Sequence, residues 1–142
     1  MSSQIFVRST GEADFVAHGP NNSLMYYHAM PGAPWGSGVA VSGPGTISPP
    51  SIFVRSTGEA DIVAPAPDGS LWYYYAMPGG PWNSARVAGP GATCSAPSIF
   101  VRPTGEADIV AQGPGGSLVY YPRHAGRPVE QRAGGRAGDH VL

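Results

Sequence analysis

The chain has 142 residues, 42% of them hydrophobic and only 12% charged, with a formal net charge of −1. That composition belongs to a globular protein and excludes a disordered chain. No apolar run is long enough to span a bilayer, and the excess of acids over arginines in residues 1–121 argues against nucleic-acid binding.

Taken in chain order, the sequence repeats with a period of 47 residues, which puts Ile5, Ile52 and Ile99 in register. The copies begin "IFVRSTGEADFVAHGPNNSLMYY", "IFVRSTGEADIVAPAPDGSLWYY" and "IFVRPTGEADIVAQGPGGSLVYY". The start, "MSSQIFVRSTG", has neither a basic nor an apolar leader region, so the expectation is a soluble chain without a signal peptide. Each copy holds four stretches that read as strands. In the second they are Ile52 to Arg55, Ala60 to Ala64, Leu71 to Ala76 and Ala85 to Ala88, separated by "STGE", "PAPDG" and "MPGGPWN". Gly58 and Gly69 are placed to take positive φ, and Pro78 and Pro81 cannot donate to a ladder, so they end the third strand. Four strands per repeat of this length is the pattern of a β-propeller blade. The expectation is an all-β partial propeller, with blade repeats at 1–51 and 52–98 and an incomplete one at 99–121.

From Pro122 to Leu142 the repeat stops. Codons can be assigned to this stretch such that reading one base further on gives HAMPGGPWNSARVAGPGTTC, which matches residues 75–94 at 18 of 20 positions. Met and Trp, with one codon each, fall in the right places. Residues 122–142 therefore read as repeat sequence translated out of frame and are expected to be poorly structured. Setting them aside leaves four arginines against seven acids. One cysteine, Cys94, allows no internal disulfide.

Few groups offer chemistry. Asp14, Asp61 and Asp108, each inside "TGEAD", are expected to accept hydrogen bonds from turn amides. The loops "PNNS", "PDGS" and "PGGS" offer a single acid, Asp68, too few for a calcium site. His18 and His28 have no Ser or Cys partner at a recognisable spacing, so neither an enzyme nor a cofactor is expected, and no metal or catalytic residue is assigned. Alternation in the third strand puts Leu71, Tyr73 and Tyr75 on one face and Trp72 and Tyr74 on the other. The leucines and first tyrosines of these strands, Leu24, Leu71, Leu118, Tyr26, Tyr73 and Tyr120, read as packing between blades. Tyr27, Tyr74, Trp35 and Trp82 stand near turns, where a flat aromatic ring can stack on the C–H face of a sugar. Arg8, Arg55 and Arg102 close the first strands, either paired with a nearby acid or bonding sugar hydroxyls between blades.

The recurring "SAPSIFVR", "TGEADIVA" and "GSLWYYYAMPGGPW" resemble the blades of propeller lectins typified by the Photorhabdus lectin, over residues 1 to 121. The resemblance implies non-catalytic carbohydrate binding between blades, with glycans as partners and Asp61, Leu71, Trp72 and Trp82 at the motif positions. Two copies depart from it, carrying Met25 and Val119 where the motif has tryptophan, which implies unequal sites. The candidate sugar-binding set is Tyr27, Trp35, Trp72, Tyr74, Trp82, Arg55 and Arg102. The alternative is a structural or protein-interaction propeller attached to a larger secreted protein or enzyme. Open blade edges also predict self-association.

Overall fold

The computed structural model describes residues 3–42, 49–93, 95–123 and 140–141. It is all-β, with three four-stranded sheets in which each strand pairs with its sequence neighbour. Blade 1 comprises β1 (Ser3–Val7), β2 (Ala13–His18), β3 (Leu24–Ala29) and β4 (Val39–Ser42). Blade 2 comprises β5 (Ser51–Val54), β6 (Ala60–Pro65), β7 (Leu71–Ala76) and β8 (Asn83–Ala88). Blade 3 comprises β9 (Ser98–Val101), β10 (Ala107–Gln112), β11 (Leu118–Arg123) and β12 (His140–Val141). Together they form part of a β-propeller. The strands expected in the second copy all form, the fourth starting two residues early. In blade 3, β11 runs on through Pro122 and Arg123, and β12 adds two paired positions, Val119 with Val141 and Tyr120 with His140. The expectation of a poorly structured tail falls mainly on residues 124–139, outside the described residues. Cys94 lies outside them too.

The first turn of each blade explains the "TGE" spacing. Arg8 N donates to Glu12 O and Gly11 N to Arg8 O, with Gly11 at φ +90°, and the same pair of bonds recurs at Arg55 and Arg102. The second turn in blade 2 is organised by Asp68, whose Oδ1 accepts from Ser70 N at 2.9 Å. After β3 and β7, Pro31 and Pro78 start tight turns closed by Ala33 N to Met30 O and Gly80 N to Met77 O.

One interface occurs twice. Between blades 1 and 2, Val16 and Leu24 meet Ile52, Val54, Ala60, Ile62, Ala64 and Tyr74, with Tyr26 and Trp82 alongside. Between blades 2 and 3, Val63, Leu71 and Tyr73 meet Ile109, Ala111 and Tyr121, with Ile99 alongside. Each set is one period on from the other. The alternation expected in the third strand holds, since Leu71 and Tyr73 face blade 3 while Tyr74 and Trp72 face blade 1. The first strands run nearest each other and stack a phenylalanine ladder, Phe6 to Phe53 at 4.9 Å and Phe53 to Phe100 at 5.3 Å between centroids. Blade 2, sandwiched on both faces, buries every residue of β6.

Candidate functional site

The three TGEAD aspartates do not bind turn amides as expected; each accepts from an arginine and a tyrosine of its own blade. Arg8 Nε donates to Asp14 Oδ2 at 2.7 Å and Nη2 to Oδ1 at 2.8 Å, while Tyr26 OH donates to Oδ1. Arg55, Asp61 and Tyr73 repeat the Nε and hydroxyl bonds, as do Arg102, Asp108 and Tyr120, with Nη2 at 3.5 Å from the tyrosine oxygen in both. The reason is placement: Asp14 pairs with Phe6 across β1 and β2 and is fully buried, within reach of Arg8, the residue after β1. A buried carboxylate there needs charged and hydroxyl donors that reach into the blade, which a turn at its edge does not supply.

The triads differ in burial. Asp14 and Asp61 are fully buried, and the Asp108 side chain is partly exposed. Burial pushes Asp61 up to about 7, against the opposing pull of Arg55. Burial would raise Asp108 too, but hydrogen bonds from Arg102 and Tyr120 hold it below the ordinary carboxylate value. A pH dependence follows from Asp61. The folded protein keeps this proton up to about pH 7 while the unfolded chain loses it near 3.8, so folding binds the proton in between. The contribution of this group to stability is complete below about pH 4 and is lost as pH rises towards 7. Thermal midpoints of the parent and Asp61→Asn, taken from pH 4 to 8, should differ in slope with that sign; parallel curves would contradict it.

A cleft of about 350 Å³ opens between blades 1 and 2. Blade 1 supplies a polar wall of Arg8, Glu12, Tyr26 and His28. Blade 2 supplies the opposite wall: Trp82, Met77, Pro78 and the backbone of Gly79 and Gly80. Arg8 Nη1, the nitrogen not bonded to Asp14, lies 3.6 Å from Glu12 Oε2, and His28 Nε2 is 3.1 Å from Glu12 Oε1. The Thr10 hydroxyl, and after it His28, hold the Glu12 carboxyl below its ordinary value, so it is an acceptor at neutral pH. Burial first, and Asp14 second, push Tyr26 up, so its hydroxyl stays protonated. The Trp82 and Tyr26 rings meet edge to face at 5.2 Å. Gly58 keeps the floor open: at φ +91°, a Cβ on it would come 2.7 Å from Pro78 Cγ.

Of the residues expected from sequence to bind sugar, Trp82 lines this cleft. Tyr74 is buried in the core between blades 1 and 2, and Trp72 packs against the same core with its Nε1 donating to Ser70 Oγ at 2.9 Å. Tyr27 and Trp35 cluster with Phe15 on the open face of blade 1, at 5.5 and 5.9 Å. Arg55 lines a second cleft, between the first turns of blades 2 and 3, together with Arg102, Phe53 and Phe100. There Arg55 Nη1 donates to Gly105 O at 2.9 Å, a bond across the interface. Glu12, Tyr26 and His28 were not among the candidates. The signal that could have found His28 is its uniqueness, since the same position holds Tyr75 and Pro122 in the other copies.

The chain matches no protein-family model and no curated protein. Among solved structures it is similar to the BP39L lectin from Burkholderia pseudomallei, with a TM-score of 0.76 at 14% identity. That match covers 91% of this chain and 41% of the lectin, so the chain spans about two fifths of its length. It is also similar to a fucose lectin from Kordia zhangzhouensis solved with methyl-fucoside, with a TM-score of 0.61 at 14% identity over 99% of this chain and 97% of that one. The fold is thus that of propeller lectins.

Proposed function

We propose that the chain is a non-catalytic carbohydrate-binding module whose working site is the cleft between blades 1 and 2. The observation that carries this reading is the pairing of its walls. One presents a guanidinium 3.6 Å and an imidazole 3.1 Å from an ionised carboxyl, beside the edge of a phenol ring; the other presents an indole and apolar turn. A pyranose has the matching shape, with hydroxyls around its rim and C–H groups on its face. The volume suits one sugar ring rather than an extended chain. The methyl-fucoside of the Kordia lectin makes a fucoside the first ligand to try. Affinity of one such shallow cleft is modest, and surface attachment would come from several clefts acting together.

The other interface is less suited. There Arg55 Nη1 is committed to Gly105 O. Burial of Tyr74 and packing of the half-buried Trp72 between blades favour the structural reading for those two rings.

Calorimetry with methyl-fucoside tests the proposal. Trp82→Ala should weaken binding about tenfold or more while the circular dichroism of the strands is kept, since loss of a stacking ring costs roughly 1 to 3 kcal/mol, and Glu12→Gln, which removes the charged acceptor, should weaken it as well. Tyr74→Ala is a poor probe, because it would open a cavity in the core. Silence of the parent protein towards a panel of monosaccharides would favour the structural alternative.

A further inference from the structure

The two free ends of the blade stack are the two halves of the interface already buried twice inside the chain. Ile52 and Val54 of blade 2 are 5% and 4% exposed against blade 1, and Val101 of blade 3 is 5% exposed against blade 2. Their counterparts in blade 1, Ile5 and Val7, are 59% and 62% exposed. At the other end Leu24 and Leu71 are fully buried, and Leu118 is 44% exposed. The first-strand ladder is open in the same way, since Phe100 is exposed while Phe53 lies between two rings. Each apolar set therefore has a partner of known shape, and that partner is on the opposite end of the same molecule.

We propose that a second copy of this chain docks the free face of its blade 1 on the free face of blade 3, head to tail, by the contacts that join blades 1 to 2 and 2 to 3. Such a contact is heterologous: it uses different surfaces on the two copies and closes into a ring when the rotation allows. It also brings together the halves of another cleft. Arg102, Glu106 and Tyr120 stand one period pair on from Arg8, Glu12 and Tyr26, and the Arg102 side chain is 50% exposed against 16% for Arg8. Met30, Pro31 and Trp35 stand one period before Met77, Pro78 and Trp82, and Trp35 and Met30 are exposed. In the docked pair Trp35 of one chain faces Tyr120 of the other, as Trp82 faces Tyr26 within the chain. Tyr27 becomes buried, as Tyr74 and Tyr121 are. Blade 3 thus has the polar wall of a cleft and blade 1 the aromatic wall, and neither is complete alone. The use of that cleft for sugar rests on the function proposed above; the docking does not.

Light scattering on the whole chain with Val7→Arg and Leu118→Arg variants tests the docking. Both positions are exposed in the single chain, so circular dichroism should stay that of the parent. The parent should show the mass of two or more chains. Each variant alone should be monomeric, because each has lost one half of the contact. An equimolar mixture should regain a two-chain species, because each variant keeps the half that the other lacks. A monomeric parent, or a Leu118→Arg chain that still pairs with itself, overturns the proposal, as does a mixture that stays monomeric. Adding Trp35→Ala to the Leu118→Arg chain then reads the cleft: the mixture should keep its mass and lose one methyl-fucoside site per two-chain species. An unchanged number of sites overturns the shared cleft. Normal masses with no sugar bound anywhere would instead count against the proposed function and leave the docking standing.

Discussion

Asp61→Ala is expected to lower the thermal midpoint by on the order of 10 °C, and Asp108→Ala by less than half as much. Asp61 is fully buried with Arg55 Nε at 2.7 Å and accepts the Tyr73 hydroxyl as well. Removing the carboxyl takes from Arg55 its buried acceptor, leaving Glu59 Oε2 at 3.2 Å and Gly105 O at 2.9 Å at the rim of the blade, and takes from the Tyr73 hydroxyl the acceptor it donates to. Breaking a buried pair in this way costs roughly 3 to 5 kcal/mol. In blade 3 the same three residue types are bonded in the same way, but Arg102 is half exposed, and water can replace what the substitution removes. Differential scanning calorimetry of the two variants decides the matter. Equal losses would mean that the triad stabilises through local geometry alone, whatever its burial.

Gly69→Asn should cost about 2 kcal/mol, while Gly116→Asn should be tolerated to within about 0.5 kcal/mol. The comparison is severe because the first copy already has asparagine at this position: Asn22, at φ 59°. Conformation is therefore not the obstacle. In blade 2 the turn is overlaid by the segment leaving β8, where Gly91 N donates to Asp68 O and Thr93 N donates to Gly69 O. A Cβ on Gly69 would lie 2.9 Å from Gly91 N and 3.2 Å from Thr93 O, backbone atoms that move only if those bonds break. Around Gly116 the nearest atom to such a Cβ is the flexible Gln112 side chain at 3.4 Å. Urea titrations of the two variants would give the difference, and a Gly69→Asn protein as stable as the parent would refute the overlay as the cause.

The architecture was legible in the sequence because each blade is local. The period, the "TGE" and "PDG" turns and the Pro78 stop all act within a few residues of the strands they bound. The cleft was harder to read because its walls belong to different copies. Trp82 faces Arg8 and Tyr26, whereas an alignment of repeats sets Trp82 beside Trp35 and Arg8 beside Arg55. Tyr26 read as packing because stacked blades bury both faces of the third strand, yet its hydroxyl reaches Asp14 and its ring edges the cleft. Tyr74 read as a ligand candidate because it stands near a turn. Strand alternation put it on the face towards blade 1, but nothing in one repeat showed that the preceding blade covers that face so closely.

The strictly sequential pairing within each sheet also has a consequence for synthesis. A hairpin forms in roughly 1 to 10 μs, whereas a ribosome adding about 5 to 20 residues per second takes several seconds to deliver one repeat. Every blade therefore has time to form before the next emerges. It then waits with Val16, Leu24 and Tyr26, or Val63, Leu71 and Tyr73, facing water until the following repeat covers them. The nascent chain always ends in a sticky surface of constant shape, and neighbouring ribosomes on one message hold identical surfaces a short distance apart. Pauses between repeats prolong that exposure, so codon choice at the blade boundaries should influence how much chain is lost to premature association.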